Sequence, residues 1–112
     1  MSLKTYSKDT DSMVVGVARL SVRLPENHSL KGKRQVVKSL IGRVRSQFNV
    51  AVSETAFHDL WQVAEIGITT VGNRQPVIDA ALDKILDFIE ATSLLEVAET
   101  DIEIIHFNRQ GS

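Results

Sequence analysis

Three histidines, one tryptophan and a cluster of lysines and arginines are the residues with chemistry to offer. His28 and Ser29 follow Pro25-Glu26-Asn27, and His58-Asp59 stands just before Trp61. A histidine beside a carboxylate can work as a general base with its orienting partner. Adjacent residues rarely point the same way, however, and no nucleophile accompanies the pair. No catalytic residue is therefore assigned. The expectation is a non-enzymatic protein, with enzymatic activity left open. His106 alternates with Ile102 and Ile104, as a half-buried strand residue does. The histidines lack zinc-ligand spacing. The absence of cysteine removes disulfides, thiolate metal sites, thiol catalysis and iron–sulfur clusters. Walker, GxGxxG and HExxH motifs are missing too. No metal or cofactor is expected.

The basic residues are unevenly placed. The chain has 112 residues and a net charge of −1. Residues 12–53 nevertheless hold eight basic residues (Arg19, Arg23, Lys31, Lys33, Arg34, Lys38, Arg43, Arg45) against one acid, Glu26. Residues 54–112 hold three basic residues against eleven acids. Such asymmetry points to a polyanionic partner. It also fits two oppositely charged helices lying side by side, and both readings stay open.

The elements that position these residues follow from periodicity. Residues 13–24 alternate apolar and mixed positions, as a half-buried strand does, and Pro25 ends it. Ser29 is an N-cap, and the apolar stripe Leu30, Val37, Leu40, Ile41, Val44 and Phe48 predicts a helix to about Phe48. A second strand is expected over 49–56 and a third over 61–71. Pro76 suits the first turn of a second helix, whose stripe is Ile78, Ala81, Leu82, Ile85 and Ile89 and which frays near Thr92. A last strand is expected over 101–107. Residues 1–12 and 108–112 read as polar, flexible tails around a single domain at 13–107. With 43% apolar and 24% charged residues, no long apolar run and no secretory signal, a soluble cytoplasmic protein without membrane contact is expected.

The order β-α-β-β-α-β predicts an α+β, ferredoxin-like sandwich. Two right-handed crossovers place both helices on one face of a four-stranded antiparallel sheet of order 4-1-3-2. The loop after the first strand and the hairpin of strands two and three then share one end. That end gathers His28, Ser29, His58, Asp59 and Trp61 into a candidate ligand pocket. Beside it, at 100° per residue, Lys31, Arg34, Lys38 and Arg45 fall within roughly a 60° arc of the first helix. Lys31, Lys33 and Arg34 crowd its first turn against the helix dipole, which a bound anion would reverse. The outer sheet face shows Val15, Val17, Val63 and Val71, with Ile105 and Phe107, an apolar patch of the kind that marks a homodimer. RNA-recognition modules of this topology stack bases on aromatics of their central strands. This first strand offers none.

LPENHSLKGKR (24–34), VVKSLIGRVRSQFNVAVSE (36–54), DLWQVAEIGIT (59–69) and DKILDFIE (83–90) carry a resemblance. Over residues 13–106 the chain resembles the YlxP-like family of bacterial proteins of unknown function. That resemblance implies a ferredoxin-like fold. Because members are often encoded among translation and ribosome-maturation genes, it also implies a role near the ribosome or its RNA. The chain departs from the family at Gly32, where an acid is frequent. Ser29 with an acid there would form a capping box, so Gly32 implies a weaker helix start or room for a ligand.

Two readings of function result. In the first, an accessory factor contacts ribosomal RNA or a ribosomal subunit through Lys31, Lys33, Arg34, Lys38 and Arg45, assisted by Arg19 and Arg23. In the second, a dimer binds a small ligand or anion, or acts as a weak enzyme, at His28, Ser29, His58, Asp59 and Trp61.

Overall fold

A computed structural model describes residues 12–108. The expected tails lie outside them, except for Ser12 and Asn108. The elements are β1 (Met13–Arg23), α1 (Leu30–Gln47), β2 (Ala51–Ala56), β3 (Val63–Gly72), α2 (Gln75–Thr92) and β4 (Glu96–Phe107). They form one antiparallel sheet of order β2-β3-β1-β4, the expected βαββαβ arrangement.

Alternation along β1 builds the core. Val14, Ala18, Leu20 and Val22 turn inward, and Ala64, Ile66 and Ile68 of β3 join them. Val37, Leu40 and Val44 of α1 and Ile78, Leu82, Ile85 and Ile89 of α2 close over the same face in one buried cluster. Both helices therefore cover one side of the sheet, and they run antiparallel to each other. The approach of α2 is close enough to require glycine on β1. A Cβ at Gly16 would stand 2.5 Å from Ile78 Cγ2 and 3.0 Å from Leu82 Cδ1.

Strand boundaries fall within two residues of expectation except at the start of β4. β4 begins at Glu96, five residues before the predicted start. Glu96–Thr100 is polar apart from Val97 and Ala98, so it gives little apolar alternation. Pairing with Thr100 opposite Leu20 and Val97 opposite Val22 makes it a strand all the same, across a register shift at Ser21/Val22. The outer face carries the expected apolar patch. Val15 lies opposite Val71 and Ile105, and Met13 opposite Phe107. Met13, Val71, Ile105 and Phe107 are all exposed. Among the described residues no helix is long and apolar enough to cross a membrane.

Candidate functional site

The end of the sheet that holds His28 and Trp61 is built from the start of α1. Ser29 has extended backbone, and its hydroxyl accepts from Gly32 N at 2.9 Å, making it the N-cap. Asn27 locks the preceding loop onto the hairpin. Its Nδ2 donates to Ser29 O at 2.7 Å and also to Trp61 O. Asn27 Oδ1 occupies the position that a Cβ at residue 32 would take. The lost capping box is thus replaced by an asparagine that ties the loop to the β2–β3 turn.

Lys33 overturns its expected role. It is fully buried, at 0% exposure, and cannot reach a phosphate. It occupies the core-facing position one turn before Val37, in register with the buried stripe. Its Nζ donates to Phe57 O and Leu60 O, each at 2.5 Å, with His58 O at 3.5 Å. The Glu54 carboxylate lies 3.0 Å away. Glu54 Oε2 is itself buried and accepts no aligned hydrogen bond, so the ammonium charge is what compensates it. The hydropathy period carried the signal: position 33 belongs to the inward stripe whatever its side chain.

This lysine organises the hairpin turn, residues 57–62. Phe57 has φ 62°, a left-handed conformation uncommon for an aromatic. The ammonium holds the carbonyl of that residue. Phe57, Leu60 and Trp61 project outward, 48%, 50% and 44% exposed. The His28 ring lies 6.4 Å from Trp61, tilted by 57°. His58 Nε2 donates to Glu54 O at 3.2 Å, and Asp59 is exposed. These residues sit at one end, as expected. They do not enclose the cavity found there. That cavity, ≈ 570 Å³, opens between Leu24–Asn27, the first turns of α1 and the Glu90–Glu96 connection, and none of His28, Ser29, His58, Asp59 or Trp61 lines it.

The other cations of α1 divide differently. Lys31, Arg34, Lys38 and Arg43 are exposed, and their side chains make no hydrogen bond or ion pair among the described residues. Arg45 Nη2 donates to Val52 O on the edge strand β2 at 3.2 Å. Arg34, Lys38 and Arg45 line one open groove of ≈ 320 Å³ between α1 and β2, floored by Val37, Ile41 and Val52. Neutralisation by the acids of α2 is not observed, since Asp79, Asp83, Asp87 and Glu90 make no ion pair with α1. Arg19 does not share this surface. It lies on the outer sheet face, 3.1 Å from Asp101 and 3.8 Å from Glu65. Alternation puts Arg23 on that outer face as well. The surface that α1 offers is therefore Lys31, Arg34, Lys38 and Arg45, without Lys33, Arg19 or Arg23.

A small ferredoxin-like domain with a cationic helix and a pinned hairpin is the class of protein that these features define. The chain belongs to the family described as protein of unknown function (DUF503), whose model matches residues 15–102. It is 32% identical over 90 residues to the uncharacterized protein YlxP of Bacillus subtilis strain 168, covering 80% of this chain and 98% of that one. Among solved structures, the de novo designed protein Foldit4 is similar with a TM-score of 0.47 and 17% identity, over 88% of this chain and 99% of that chain. SnoaB, a cofactor-independent oxygenase from Streptomyces nogalater, is similar with a TM-score of 0.42 and 14% identity, over 89% and 95%. Neither likeness bears on activity.

Proposed function

We propose that this chain is a non-enzymatic accessory protein that binds RNA, as ribosomal RNA or on a ribosomal subunit, through the exposed face of α1. One observation carries the reading: Lys31, Arg34 and Lys38 stand exposed along one helix with no acidic partner. Lys31 and Arg34 also oppose the α1 dipole, whose first turn holds no acid. Each such placement costs about 0.3–1 kcal/mol, which a phosphate would offset. The groove between α1 and β2 adds Arg45 beside the same cations. Contact of this kind is electrostatic and largely independent of sequence. The apolar outer face lies on the opposite side of the sheet, so a homodimer formed there would leave both copies of α1 free. The reading with a small ligand at His28, Ser29, His58, Asp59 and Trp61 has less support, because the cavity at that end is lined by other residues.

The test is binding of the purified protein to ribosomal subunits and to a short RNA, titrated with salt. The reading expects affinity to fall linearly on a log–log salt plot. Reversing Lys31, Arg34 and Lys38 together to Glu should remove about 2 from the slope, at roughly 0.7 per single-strand phosphate contact. Equal affinity of the wild type and this triple variant would overturn it.

A further inference from the structure

The hairpin turn combines three features that packing alone does not demand. Phe57, Leu60 and Trp61 expose large apolar surfaces within one five-residue turn. Their backbone is held by a buried ammonium on the carbonyls of Phe57 and Leu60. Phe57 keeps a left-handed backbone that a glycine would adopt without strain. A turn evolved for stability alone would place glycine at 57 and polar residues around it. Strained backbone, maintained by a buried charge and presenting rigid aromatics, is the arrangement of a contact surface.

The neighbours of the turn say what kind of contact. The His28 ring lies 6.4 Å from Trp61, and two residues later α1 begins with exposed, unpaired Lys31 and then Arg34. Exposed aromatics next to unpaired cations are what single-stranded nucleic acid requires, with stacking for its bases and positive charge for its phosphates. Paired bases in a duplex would offer the aromatics nothing, because they are already stacked on each other.

We propose that the β2–β3 turn selects unpaired nucleotides, with Trp61 and Phe57 stacking bases while Lys31 and Arg34 hold the adjoining phosphates. The assignment rests on the RNA-binding reading above and names its substrate class. Stacking takes place on the hairpin and not on the sheet face. Lys33 acts as a positioning residue that never meets the RNA.

Trp61 is the sole tryptophan of the chain and reports on its own contact. Its fluorescence is followed during titration with three probes: an unstructured RNA of about 10 nucleotides, an RNA duplex of equal length, and an abasic sugar–phosphate strand. The unstructured RNA should quench Trp61, and the duplex and abasic strands should not. Trp61→Ala and Phe57→Gly, followed by filter binding, should each weaken the unstructured RNA by about ten-fold, as expected for loss of one stacked base. The salt slope should stay unchanged. Phe57→Gly keeps the test valid against misfolding, because it removes the ring while relieving the backbone and should not lower the melting temperature. Equal binding of unstructured RNA, duplex and abasic strand, with both variants unaffected, would overturn the stacking assignment and leave the RNA-binding reading standing. Absence of binding to every probe at low salt would overturn both.

Discussion

The two helices are of equal length, 18 residues each, lie on the same face of one sheet and bury four side chains apiece. Their charges nevertheless behave differently. α1 begins at a side-chain cap, puts one lysine into the core and leaves others exposed in its first two turns. α2 begins at Arg74 without a side-chain cap, starts through Pro76 and buries only apolar residues. Its acids Asp79, Asp83, Asp87 and Glu90 are all exposed. Because the helices are antiparallel, the cationic start of α1 and the Glu90 end of α2 lie at one end of the fold. They attract each other only through screened, solvent-exposed space, where unpaired charges contribute little. The difference teaches that charge in α1 is of two kinds. Lys33 is structural and fully paired, Arg45 is tied to the Val52 carbonyl of β2, and Lys31, Arg34 and Lys38 are available to a partner.

The sharpest way to break that division is Lys33→Met. It takes the ammonium from the carbonyls of Leu60 and His58, leaves Phe57 O only the Leu60 backbone N–H, and leaves Glu54 buried without its counter-charge. Removing one partner of a buried pair costs about 3–5 kcal/mol, a drop in melting temperature of well over 10 °C for a domain of this size. Lys31→Met, two residues away, should cost nothing and gain at most about 1 kcal/mol by relieving the helix dipole. Urea unfolding of the two variants side by side checks this. Similar losses for both would show that burial does not separate the two lysines.

A smaller effect is expected at Gly32. Alanine there gains about 1 kcal/mol of helix propensity. Its Cβ meets Asn27 Oδ1, whose amide is anchored on Ser29 O and Trp61 O. Displacing that side chain from both carbonyls should outweigh the gain, for a net loss of about 1 kcal/mol. In an Asn27→Ala background the same change should be neutral or stabilising. A thermal double-mutant cycle reads the coupling, and additivity would show that Asn27 moves aside freely.

Much of this was legible in the sequence. Strict alternation in 13–24 and the stripe in 75–92 set the strand and helix faces, and the two crossovers left one sheet order to expect. The placement of His28 and Trp61 at one end followed from topology. Counting charge along α1 gave the wrong answer at Lys33, because a tally by residue type takes every lysine as a surface group. The three-four spacing from Leu30 through 33 to Val37 and Leu40 had already turned that position inward. Arg19 and Arg23 cannot assist α1, because their odd positions in β1 turn them to the other face of the sheet. Nothing local could announce that Asn27 fills the space at Gly32, since that contact depends on Trp61, 34 residues away in sequence from Asn27.

The finest test of the comparison is a pair of reversals at the facing helix ends. Lys31→Glu puts an acid in the first turn of α1, beside the Ser29 cap, and should raise stability by about 0.3–1 kcal/mol. The same change should weaken RNA, because it removes a phosphate contact and adds repulsion. Glu90→Lys puts a cation in the last turn of α2, where none now stands, and should raise stability by a similar few tenths of a kcal/mol. It should leave RNA affinity unchanged or slightly increased, since α2 makes no phosphate contact in this reading. Stability gained at both ends with affinity lost at only one would separate the helix that binds from the helix that merely packs. Loss of affinity from Glu90→Lys as well would mean that the acidic end of α2 takes part in the contact, and that the two helices act as one surface.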